Sequence, residues 1–256
     1  MASTENFAMS FKAMEANLLG GFFIAHYVLN VSYSVASYGL QVGSYNCLWI
    51  CSMSLLISAF GLLRENHDLV ATGLIAVGSG HTLWMLDTLY MILYNVNQGP
   101  INIADYNSLS GKPTFLSVFT TTHHLWFMPL CIMYLRSNSF VLRWKHLKFS
   151  SYWIMFIGTI TIIYIPMQCV DIAMKGGGTA CIDVNVNMVK HWWGMDNIRF
   201  FHLFDRDKGN SVFVHWLYSN VVHNFGCNGV IWCLLRFTVF RRRVVGEGRG
   251  EGKKVV

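Results

Sequence analysis

His26, His81, Asp87, His123, His124, Asp171, His215 and His223 all fall inside apolar runs long enough to cross a bilayer. An ionisable side chain in hydrocarbon is costly, so it needs a partner, a cavity or a ligand. Asp87 has no lysine or arginine near it in the apolar core of the spans, which leaves histidine as its charged neighbour. An Asp–His pair can hold a proton, orient a metal ligand or support acid–base chemistry. Single imidazoles such as His26 and His81 have a simpler use, an interhelical hydrogen bond worth about 1 kcal/mol.

The spacing of these groups limits the chemistry. Trp84 and Asp87 are three residues apart and share a helix face. His215, Ser219 and His223 follow at four-residue steps, but the two histidines are separated by about 12 Å of helical rise, too far for one ion without a partner helix. His123 and His124 point about 100° apart on a regular helix, so only one of them is expected to face a shared site. The chain has no HExxH, GxSxG, Walker A or Rossmann fingerprint. A b-type haem needs two axial histidines on facing helices, a role open to His81 with His124 or His223. The last span lacks a central lysine, which disfavours a retinal Schiff base.

The elements that must carry these residues follow from composition. Of 256 residues, 54% are hydrophobic and only 12% charged, with a mean hydropathy of +0.40. A soluble domain carries about twice that charged fraction. Apolar runs of roughly 20 residues, each able to span the hydrocarbon layer, lie near Asn17–Leu40, Ser44–Leu63, Leu69–Asn95, Phe115–Leu135, Ser151–Met174 and Ser211–Phe240. Backbone in lipid must satisfy its own hydrogen bonds, so each run is expected to be a helix. The expectation is an all-α, polytopic bundle of six transmembrane helices over residues 1–240, followed by a flexible, basic, Gly-rich tail over 241–256. Lipid is its solvent, and other membrane proteins are its expected partners. No zinc finger, RNP motif or basic helix points to nucleic acid.

Orientation follows from the basic residues. With the N-terminus inside, thirteen lysines and arginines lie on the inner side and six on the outer, so both termini are expected on the cytoplasmic or equivalent side. Arg241, Arg242 and Arg243 begin the tail as a stop-transfer cluster beside lipid head groups. The N-terminal segment has no basic n-region or early apolar core, so no cleavable leader is expected. Cys47, Cys51, Cys131, Cys227 and Cys233 read as small apolar fillers. Cys169 and Cys181 flank a loop and read as free thiols, able to pair if that loop faces an oxidising compartment.

Depth then places most polar groups in the outer half of the membrane. Asp87 and the pair at 123 and 124 lie outward on the third and fourth spans, with Pro129 expected to kink the fourth. Asp171 ends the fifth, and His215 opens the sixth. A pocket opening outward would explain this clustering, with the two long outer loops as its roof. Trp192 and Trp193 in the last outer loop suit the head-group layer.

Several segments resemble a family of uncharacterised bacterial multi-pass membrane proteins. They are Leu83-Trp84-Met85-Leu86-Asp87, Asp105-Tyr106, Thr114-Phe115-Leu116-Ser117, His124-Leu125-Trp126-Phe127-Met128-Pro129-Leu130 and Asn185-Val186-Asn187. The resemblance implies a helical membrane protein and draws attention to Asp87, His124, Pro129, Asn185 and Asn187. It carries no activity or cofactor. The candidates for ligand binding or proton exchange are Asp87, His81, His124 and His215, with Asn185 and Asn187 closing the roof. Three functions fit: a binder or carrier of a small solute or lipid, an accessory subunit of a membrane complex, and an oxidoreductase using metal or haem.

Overall fold

A computed structural model describes residues 2–96, 99–100, 115–165, 169–173, 179–183, 200, 203 and 211–240. Helix α1 runs Ala2–Asn46 and contains a kink at Gly39, whose φ of 80° is one that side-chain-bearing residues rarely adopt. A tight turn leads to α2, Ile50–Leu63. Asn66 then caps α3, His67–Ala76, its side-chain oxygen accepting from the Asp68 and Leu69 amides. That is the usual way to satisfy free amides at a helix start, and Asp68 adds negative charge where the helix dipole favours it.

Helix α2 packs closely on α3 because small residues line the contact. A β-carbon on Gly73 would run into the Ser58 hydroxyl, and one on Gly61 would sit 2.8 Å from Val70 Cγ2. Small residues that let backbones approach are how helices associate without a hydrophobic drive between them. Leu55, Ala59, Leu62, Val70, Leu74, Phe127, Cys131 and Leu135 fill the core that follows.

The third expected span is two helices. It bends by 50° between α3 and α4, Gly78–Tyr94. A side chain from the last helix satisfies the opened backbone: Asn228 Oδ1 accepts from the Ser79 amide at 3.0 Å and the Ser79 hydroxyl at 2.7 Å. Its Nδ2 donates to the Ala76 carbonyl at 3.2 Å. The fourth span is also divided, into α5, Phe115–Thr121, and α6, His123–Ser137. Helix α6 continues through Pro129, so the break falls at Thr122 instead.

The fifth span lies earlier in the chain than its hydropathy suggests. Helix α7 is Trp144–Tyr164, and Cys169–Ala173 is strand β1, not a helix end. Asp171 therefore sits on a strand, paired antiparallel with β2, Thr179–Asp183. The described residues are mainly helical, as expected, with this hairpin added. The last span is α8, Val212–Asn220, a π-helical stretch Val221–Cys227, α9, Asn228–Leu234, and a second π stretch Leu235–Val239.

Two helices, Met14–Asn46 and Trp144–Tyr164, are long and apolar enough to cross a membrane, and the bent pair α3–α4 makes a third if it is one span. Large apolar side chains cover much of the described surface, and polar residues share the interior with the apolar core. Phe115 is 80% exposed and Ile163 75%, whereas His26, His81, Asp87, His123, His215 and Asn228 are buried. Large apolar residues facing outward around polar ones suit a lipid solvent. One ionic tie binds the end where α3 and α7 begin. Lys145 Nζ lies 2.6 Å from Asp68 Oδ2, and His146 Nε2 2.8 Å from Asp68 Oδ1. The Arg143 amide donates to His146 Nδ1, so the imidazole proton sits on Nε2 and is donated to Asp68.

Candidate metal centre

Four imidazoles from three helical segments meet beside the break at Thr122. His123 and His124 have ring centroids 4.1 Å apart. His81 from α4 lies 4.6 Å from His124 and 5.7 Å from His123. His26 from α1 lies 5.4 Å from His123. Aromatic rings close the surroundings: Trp84 stacks on His124 at 4.8 Å, Phe127 lies 5.7 Å from His81, and Trp126 meets His26 edge-on at 4.9 Å.

The break explains how adjacent histidines reach one site, which regular helix geometry argues against. The Leu125 amide bonds the Thr122 carbonyl, three residues back, which leaves the Thr121 carbonyl open to a side chain. His124 Nδ1 takes it at 2.9 Å, and His123 Nδ1 takes the Thr120 carbonyl at 2.7 Å. Both rings therefore fold back along the chain and converge. The expectation that only one of them faces a shared site fails for this reason.

These bonds also settle the tautomers. A carbonyl oxygen only accepts, so Nδ1 of His123 and of His124 carries the proton and Nε2 keeps a lone pair. His26 does the reverse: its Nε2 donates to the Thr120 carbonyl at 3.2 Å, which leaves Nδ1 with the lone pair. That bond is the interhelical one expected of His26. Among the described residues, His26 Nδ1, His123 Nε2 and both nitrogens of His81 are buried with no hydrogen-bond partner. His81 thus lacks the simple interhelical bond expected of it. Imidazoles that donate one N–H to a backbone carbonyl and turn the other nitrogen to an empty direction have the arrangement of metal ligands.

A thiol completes the set. The Cys51 sulfur and one ring nitrogen each from His123 and His124 lie within 4.8 Å of one another. A tetrahedral zinc-type ion would hold such donors about 3.3–3.6 Å apart, so a closure of about 1 Å forms the site. Cys51 opens α2 and is a free thiol. Reading it as an apolar filler does not anticipate this proximity, because no local spacing links it to histidines more than seventy positions away.

The other candidates are placed differently. Asp87 is fully buried, and a β-carbon on Gly99 would collide with its carboxylate. It lies six residues beyond His81 on α4, about 9 Å of rise. His215 is buried on α8, with its Nε2 3.2 Å from the Ser219 hydroxyl. His223 Nε2 lies 3.4 Å from Ser79 Oγ. That hydroxyl donates to Asn228, so it accepts from His223. Asn185, Asn187, Arg241, Arg242 and Arg243 lie outside the described residues. His81 and His124 do not fit as haem axial ligands, because at 4.6 Å the rings touch and leave no room for a porphyrin between them.

No protein-family model, curated protein or solved structure matches the chain.

A buried nitrogen without a partner costs about 1–3 kcal/mol. His81→Leu removes two of them. In protein stripped of metal by a chelator, this substitution is expected to raise stability by roughly 1–3 kcal/mol, read from unfolding in detergent. A loss of stability would mean that both nitrogens are already satisfied.

Proposed function

We propose that this chain is a membrane metalloprotein that holds a transition-metal ion through Cys51, His123 and His124, with His81 beside the fourth position. The observation that carries the reading is the pair of imidazoles, each fixed by a backbone carbonyl, with one ring nitrogen of each and the Cys51 sulfur within 4.8 Å of one another. Thiolate with imidazole selects zinc or copper over magnesium or calcium. Three protein ligands and one further position are the pattern of a reacting centre, not of a closed structural one. An ion held there would supply Lewis-acid activation of a water or a solute, and His81 would ligate it or take the released proton. This reading develops the metal-dependent alternative. Asp87 and His215, both buried, are read as lining the route by which a small solute reaches the ion.

Purified protein in mild detergent, reconstituted with zinc or copper, is expected to retain metal. Cys51→Ser combined with His123→Ala is expected to lose one equivalent per chain, while Asp87→Asn keeps the wild-type content. Unchanged metal in the double variant, with wild-type unfolding, would refute the centre. Loss of metal in Asp87→Asn would refute the route assignment.

The topology proposed around this centre is six spans with both termini on the inner side. The excess of inner basic residues and the outward apolar faces of α1, α4, α5, α7 and α8 support it. It puts Cys51 at the outer start of α2 and His123 at the outer start of α6. Reporters fused to each terminus are expected to fall on the same, inner side of the membrane; reporters on opposite sides would require an odd number of spans.

A further inference from the structure

A cavity of about 460 Å³ is lined chiefly by α3 and α7 and shares no residue with the imidazole cluster. Ligand sites run from roughly 300 to 1,000 Å³. Its lining divides by chemistry. Asn66 and Asp68 come from the start of α3, and Phe149, Tyr152, Trp153 and Phe156 from α7. Lys145 precedes these rings on the same helix face, at the three- and four-residue steps that keep side chains in line. It pairs with Asp68 at 2.6 Å. The stripe therefore runs from a charged pair to a row of rings. From Lys145 to Phe156 the helix rises about 16 Å. One leaflet of hydrocarbon is about 15 Å deep, half of the whole layer. Helix α7 is itself long and apolar enough to cross a membrane.

The stripe is open to lipid, since Phe149, Tyr152 and Phe156 are exposed. Trp153 is half-buried, and its Nε1 is buried with no hydrogen-bond partner among the described residues. An indole N–H only donates, so whatever satisfies it must bring an acceptor. Asn66 spends its side-chain oxygen on capping α3, which leaves its amide nitrogen as a donor. Lys145 has three donors and gives one to Asp68. Phosphodiester and ester carbonyl oxygens only accept, the complement of these groups. Asp68 offers little repulsion to a phosphate, because Lys145 and His146 already take its two oxygens. Exposed Arg143 and Lys148 add positive charge at the same end of α7.

We propose that this cavity binds one glycerophospholipid of the surrounding bilayer. Its phosphodiester lies at Lys145 and Asn66, an ester carbonyl accepts from Trp153 Nε1, and an acyl chain runs along Phe149, Tyr152 and Phe156. The match of a charged end to one leaflet's depth of rings favours a lipid over a water-soluble phosphate. The site has no residue in common with the Cys51 centre, so it does not depend on the metal reading. It requires only that α7 crosses the bilayer.

The full chain is stripped of lipid in detergent and titrated with dioleoyl phosphatidylglycerol, and native mass spectrometry counts what stays bound. The expected result is saturation at one lipid per chain. Neither dioleoylglycerol, which lacks the phosphate, nor glycerol phosphate, which lacks the chains, is expected to displace it at equal concentration. Trp153→Phe and Lys145→Gln are each expected to weaken binding about fivefold, the size of one hydrogen bond. Trp153→Phe leaves the Asp68–Lys145 pair intact, so it decides the matter even if Lys145→Gln unfolds the chain. The adduct is expected to survive joint replacement of Arg241, Arg242 and Arg243 by Gln. No adduct in the wild-type chain, wild-type affinity in Trp153→Phe, displacement by either fragment, or loss of the adduct in the tail variant would each overturn the site.

Discussion

In hydrocarbon a polar group that is not paired within the protein has no water to turn to, so each irregularity of the backbone must be matched by a side chain. Around Thr122 this requirement creates the chemistry. The break there leaves the Thr120 and Thr121 carbonyls able to accept side-chain protons, and three imidazoles supply them. Each imidazole that gives its N–H to a carbonyl must present a bare lone pair on its other nitrogen. The geometry of one helix break thus sets which ring nitrogen carries the proton in His26, His123 and His124.

The same constraint operates at the bend before Gly78. Asn228 stitches both sides of that bend, and a column of asparagines continues from it. Asn228 Nδ2 also lies 3.4 Å from Asn224 Oδ1, Asn224 Nδ2 donates to Asn220 Oδ1 at 2.9 Å, and Asn220 donates to the Trp216 carbonyl at 2.9 Å. In a pure α-helix a stripe at four-residue intervals drifts steadily round the axis. The wider π turn over Val221–Cys227 shifts it back, which keeps this column buried along its length. The bent segment that the column braces is the one that carries His81. Helix breaks, π turns and buried polar residues therefore coincide, which is where irregular backbone is tolerated in a membrane.

How much of this the sequence discloses depends on the range of the interaction. Hydropathy and the cost of buried charge are local properties, so the apolar helices and the burial of His81 and Asp87 are legible from the chain alone. The breaks at Val77 and Thr122 are not, because no proline or glycine marks either residue itself and a distant side chain, Asn228, compensates the first. Cys51 is invisible for the same reason: its partners come from another helix, and a lone cysteine in an apolar run looks like filler. The fifth span is legible in kind but not in position, since Trp144, Lys145 and Lys148 give its polar start the look of a loop while Val170 and Ile172 extend the apolar run into a strand. His123 and His124 show the reverse failure, where a sound rule for regular helices does not survive a helix end.

The central claim is that buried imidazoles and a thiol gather beside Thr122 because together they hold a cation. The most direct measurement is the X-ray absorption spectrum of the metal edge in zinc- or copper-loaded protein. The account predicts one sulfur scatterer at about 2.3 Å together with imidazole nitrogens at about 2.0–2.1 Å. A spectrum with oxygen neighbours and neither sulfur nor imidazole would contradict it.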